Sequence, residues 1–76
     1  MIYGFTIEVA DIDAKGRYED TLHTGGCGDA LVAVLDGTLF LDFHREGVAF
    51  EKAVESASRN VEKAGGRVVK VSPLPD

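Results

Sequence analysis

The chain has 76 residues, a single cysteine, and 13 acidic against 8 basic side chains, giving a formal net charge of −5. That length allows one domain with a small core, the 45% hydrophobic content excludes a disordered segment, and one cysteine excludes an internal disulfide. The acidity opposes direct nucleic-acid binding, because the cations are not gathered in one segment, and no apolar run approaches a membrane span.

Met1 leads directly into an alternating segment without a basic and apolar leader, so the expectation is a soluble, cytoplasmic protein in a reducing setting. Within residues 2–10, Tyr3, Phe5, Ile7 and Val9 share one face and Gly4, Thr6 and Glu8 the other, which predicts a half-buried strand. Residues 11–16 are polar and end in Gly16, as a loop does. Residues 17–24 predict two turns of helix with Tyr18 and Leu22 on one side, stopped by Gly25-Gly26.

Asp36-Gly37 between two apolar segments is a hairpin signal, since a two-residue type I′ turn needs positive φ at both positions. It pairs Leu35 with Thr38, Val34 with Leu39, Ala33 with Phe40 and Val32 with Leu41. Cross-strand partners share a face, so Ala30, Val32, Val34, Leu39, Leu41 and Phe43 are expected toward the core. Leu31, Ala33, Leu35, Thr38, Phe40 and Asp42 then lie on the opposite face.

Residues 50–64 predict the clearest helix, with Phe50, Ala53, Val54, Ala57, Val61 and Ala64 as its apolar stripe and Glu55–Arg59 as a favourable pair. Val48 and Ala49 offer no side-chain cap, so its first turn should fray. Residues 67–72 predict a last strand, with Val69 and Val71 on one face and Val68 and Lys70 on the other. Residues 73–76 read as a flexible tail, because proline cannot extend a central strand.

The order strand, helix, strand, strand, helix, strand, with one consistently apolar sheet face, predicts an α+β, ferredoxin-like βαββαβ two-layer sandwich. A four-stranded antiparallel sheet carries both helices on one face, and the first and third strands are central.

No chemistry-bearing motif emerges. Asp11-x-Asp13-x-Lys15 begins like a calcium loop, but Lys15 and Leu22 fall where oxygen ligands are needed. His23, Cys27 and His44 are too few and too scattered for a zinc site. Cys27 reads as a buried apolar side chain, with Asp29 raising its pKa if close. No metal or cofactor is expected, and no catalytic residue. An enzyme remains the third reading, one that a ligand-sized pocket at Cys27 or His44 would support.

The uncovered sheet face, with Thr6, Glu8, Phe40 and Asp42 on the central strands, is a poor base-stacking platform but suits a protein partner or a homodimer. A basic protein surface is the partner that the charge favours. Its expected contacts are Glu8, Phe40, Asp42, Glu46, Glu51, Glu55, Asp11, Asp13, Glu19 and Asp20.

Tyr18-Glu19-Asp20 with Leu22, Gly26-Cys27 with Asp29-Ala30, Leu41-Asp42-Phe43 with Arg45-Glu46, Ser56-Ala57, Val61-Glu62 and Ala64-Gly65 resemble a small bacterial domain found N-terminal to a helix-turn-helix in short regulators. That resemblance spans nearly the whole chain. Because the chain stops at Asp76, ahead of any DNA-reading helices, DNA binding is not carried over. In size and charge alone the chain is also similar to phage anti-CRISPR proteins. That likeness implies an inhibitor blocking a nucleic-acid-binding surface, with a CRISPR effector subunit as partner. The alternative is a stand-alone dimerisation or sensing domain related to helix-turn-helix regulators or antitoxins.

Overall fold

A computed structural model describes residues 1–75, leaving only Asp76, the end of the expected tail, outside. The elements run β1 (Ile2–Ala10), α1 (Tyr18–Gly25), β2 (Leu31–Leu35), β3 (Thr38–Glu46), α2 (Phe50–Lys63) and β4 (Arg67–Pro73). The strands form one sheet in the order β2-β3-β1-β4, and every pairing is antiparallel. Both helices cover one face, so this is the ferredoxin-like α+β sandwich that the sequence predicts.

The Asp36-Gly37 turn fixes the register of β2 on β3. Its φ angles of 51° and 78° are those of type I′, and the strands pair from Leu35↔Thr38 to Leu31↔Asp42, as the turn dictates. β3 then pairs with β1 from Val9↔Leu39 to Ile2↔Glu46, three residues beyond the predicted end at Phe43.

The core is built by alternation in the two central strands. Phe5, Ile7 and Val9 from β1 meet Leu39, Leu41 and Phe43 from β3, and α2 closes over them with Ala53, Ala57 and Val61. The small side chains let α2 sit close to the sheet. Phe5 stacks on Phe43 with centroids 5.6 Å apart, and Phe50 approaches Phe5 edge-on at 5.9 Å. Leu22 is the buried anchor of α1, whose end is marked by Gly26 at φ 99°, while Gly25 lies directly against α2. No side chain caps α2, although Glu51 stands in its first turn, and Glu55 accepts from Arg59 at 2.6 Å.

Three expectations need correction. Val32 and Val34 do share the helix-side face with Leu41 and Leu39, yet they are 37% and 41% exposed. The eight-residue α1 packs on α2 and does not extend over β2, so the whole of β2 is exposed. In β4 the register shifts between Glu8 and Val9, so Val9 faces Val68 while Glu8 faces Lys70. Val69 is the extra bulged residue, and Val68 joins Val71 on the core side in its place. Finally, Pro73 belongs to β4 and pairs with Phe5, and the Leu74 N–H donates to the Gly4 carbonyl at 3.1 Å. An edge strand tolerates proline where a central one does not.

Candidate functional site

The uncovered face of the sheet is set by the residues that alternate with the core. Across the strands one row runs Leu31, Asp42, Thr6, Ser72, and the next runs Ala33, Phe40, Glu8, Lys70. Leu31, Ala33, Leu35 and Phe40 thus make an aliphatic and aromatic strip along the β2 side. Glu8 and Asp42 lie beside it, and Glu46 follows on β3. Asp42 is fixed by the Thr6 hydroxyl, which donates to its Oδ1 at 2.6 Å. Lys70 stands across from Glu8, and Arg67 is drawn to Asp11 at 3.3 Å, so the face carries cations as well as carboxylates.

The predicted contact residues do not gather on one surface. Glu8, Phe40, Asp42 and Glu46 share the open face. Glu51 and Glu55 lie on α2, on the opposite layer, and Glu55 is engaged by Arg59 and Lys52. Asp11 and Asp13 belong to the loop after β1, where Asp11 pairs with Arg67 and the Asp13 carboxylate accepts from the Lys15 N–H at 2.9 Å. Glu19 and Asp20 fill the first turn of α1, where the helix dipole favours acids.

Two depressions bear on the enzyme reading. One, of about 370 Å³, lies between α1 and β2 and is lined by Tyr18, Leu22, His23, Cys27 and Val32 among others. The Cys27 side chain is 2% exposed, and burial pushes its thiol pKa up more than Arg45 lowers it, with Asp29 adding to the rise. A protonated, buried thiol is a poor nucleophile. The other, about 560 Å³, is an open hollow where Tyr3, His44, Phe50 and Leu74 meet. Among the described residues no cluster of three or more His, Cys, Asp or Glu side chains is arranged to hold a metal. None of the described helices is long and apolar enough to cross a membrane.

The densest polar cluster went unnoticed in the sequence, and it centres on Arg45. This side chain projects from β3 on the helix side, after Leu41 and Phe43, and its guanidinium lies 4.9 Å from the Phe43 ring centroid. Nε and Nη2 donate to the two Asp29 oxygens at 3.2 and 2.8 Å. Nη1 donates to Asn60 Oδ1 at 2.6 Å and Ser56 Oγ at 3.1 Å, and Nη2 also reaches the Gly26 carbonyl at 3.3 Å. Asn60 in turn donates to the Gly25 carbonyl at 3.1 Å. These contacts engage all five guanidinium donors, so Arg45 ties β3, α2, the end of α1 and the approach to β2 together rather than waiting for an anion. A charge at an inward position of an otherwise apolar alternation was the available signal.

Comparison with family models, with curated proteins and with solved structures returns no match. The functional reading therefore rests on the chain's own geometry.

Proposed function

We propose that this protein is a non-catalytic, acidic interaction module that meets a basic protein through its open sheet face. The observation that supports this is the placing of Glu8, Asp42 and Glu46 beside the strip of exposed Leu31, Ala33 and Leu35 and half-buried Phe40, on the side that neither helix covers. An apolar strip with charged neighbours is how protein interfaces are built, and the net charge of −5 selects a basic partner. The specific form suggested by size and charge is an anti-CRISPR-like inhibitor that competes with nucleic acid for a basic surface of a defence complex. The acids on α2 and in the loop after β1 do not belong to this contact.

Capture of a partner from host lysate tests it, run at about 50 mM and about 500 mM salt, since screening shortens the reach of surface charge. The partner is expected at low salt, released at high salt, lost with Glu8→Gln/Asp42→Asn/Glu46→Gln and kept with Glu51→Gln/Glu55→Gln. The opposite response of the two variants refutes the open face as the contact. A second reading, a dimerisation or sensing domain, is favoured by one separate observation: β2 is an apolar edge strand with all five residues exposed.

A further inference from the structure

The two edges of the sheet are treated very differently by the sequence. β4 carries Arg67 and Lys70, a bulge at Val69 and Pro73, the devices that keep an edge strand from pairing with another chain. β2, Leu31-Val32-Ala33-Val34-Leu35, carries none of them: it has no charge, no proline and no bulge. Leu31 is 71% and Leu35 61% exposed on the open face, and Val32 and Val34 are partly exposed on the helix face.

This edge is also self-complementary. Read in either direction, the five residues are the same: Leu, Val, Ala, Val, Leu. A two-residue type I′ hairpin makes Leu35↔Thr38 a hydrogen-bonded pair, so by alternation Leu31, Ala33 and Leu35 direct their N–H and C=O groups to β3. Val32 and Val34 therefore direct theirs outward. We infer that β2 pairs antiparallel with β2 of a second copy about a two-fold axis at Ala33, joining two sheets into one of eight strands.

In this register Val32 bonds with Val34 of the other copy and Val34 with Val32, giving four main-chain hydrogen bonds. Ala33 meets Ala33 at a non-bonded pair on the axis. Leu31 packs on Leu35 across the open face, and the valines pair on the helix-side face, beyond the reach of α1. Asp36 falls opposite Ala30, and Asp29 opposite Gly37, so no two acids are opposed. A foreign strand would need no such symmetry; a second copy does. Two five-residue strands bury less than the ~800 Å² per partner of a standard interface, so the dimer is expected to be weak, with a Kd on the order of 100 μM, between the concentrations tested below. Two copies of charge −5 repel, so added salt should tighten this association, the reverse of its effect on a basic partner.

The test is sedimentation velocity from about 10 to about 1000 μM, together with cross-linking under mild oxidation of single-cysteine variants built on Cys27→Ala. Cα atoms at a non-bonded antiparallel pair are ~4.5 Å apart, within disulfide range, whereas residue 31 and its own copy are too distant. The expected result is a concentration-dependent dimer that salt strengthens. Ala33→Cys should be trapped at least ~10-fold faster than Leu31→Cys or Leu35→Cys alone, and a mixture of the last two should cross-link. A monomer throughout, or a dimer that Ala33→Cys does not trap selectively, overturns the inference. A monomer that still holds a basic partner would overturn it while leaving the open-face contact intact.

Discussion

Replacing Arg45 by alanine removes one side chain that reaches four parts of the molecule, and the cost can be worked from its contacts. Asp29 is the nominal ion-pair partner, but its side chain is 45% exposed and rehydrates when released. That pair is worth at most ~1 kcal/mol. Asn60 Oδ1 loses a charged donor in a part-buried setting, where an unmet acceptor costs roughly 1–3 kcal/mol when burial is complete, whereas the exposed Gly26 carbonyl rehydrates. The guanidinium over the Phe43 ring adds about 0.5 kcal/mol or more. The expected loss is about 3 kcal/mol, out of the ~4–11 kcal/mol that a domain of this length commands. At roughly 4–8 °C per kcal/mol, the melting temperature should fall by ~12–24 °C.

Urea and thermal unfolding followed by circular dichroism read this directly. Arg45→Lys retains the charge but not the fork, and should recover less than half of the loss. If Arg45→Ala unfolds within about 0.5 kcal/mol of the parent, the clamp is a surface decoration and the reasoning fails.

Further expectations can be checked in the same way. Gly25→Ala would set a Cβ 2.6 Å from the Ala64 Cβ and 2.8 Å from the Asn60 carbonyl, so it should force α1 off α2 and cost about 1–3 kcal/mol by denaturant melt. Gly37→Ala meets nothing within 4 Å, so its penalty is backbone strain alone, about 1–2 kcal/mol, and a D-alanine there should largely restore stability. Cys27 should resist a thiol reagent at neutral pH until the chain unfolds. Because its folded pKa is raised, its stabilising contribution is complete below the unfolded thiol pKa and is lost as pH rises through the folded value. The Tm should therefore drop more steeply above about pH 9 than in Cys27→Ala, and equal slopes would contradict this.

Legibility tracked how local the determining interaction was. Asp36-Gly37 states its own backbone geometry, so the β2–β3 register could be read residue by residue, while the order of the strands followed from the element order, the single apolar face and right-handed crossovers. The stripe on α2 was equally plain, because three- and four-residue spacing needs only a helix to acquire meaning. The exposure of Val32 and Val34 was not readable from alternation, which says which way a side chain points but not whether α1 is long enough to cover it. The bulge at Val69 put Val68 in its place on the core side, leaving Lys70 and Val71 as read, for a similar reason: period-two reading presumes an uninterrupted ladder.

The expected acidic contacts are divided between surfaces by a geometry that the fold itself implies. In a two-layer sandwich, the polar face of α2 looks away from the sheet, so Glu51 and Glu55 are on the far side from Glu8 and Asp42. Arg45 was missed because its partners Asp29, Ser56 and Asn60 are 11 to 16 residues distant along the chain and only the packed helices bring them to it.

Amide hydrogen exchange along β2, followed residue by residue at ~10 and ~1000 μM, addresses the working edge most directly. Ala33 and Leu35, bonded to β3, should be protected at both concentrations. Val32 and Val34 should exchange freely in the dilute sample and become protected in the concentrated one. Free exchange at those two valines in both samples would show that no second strand docks there.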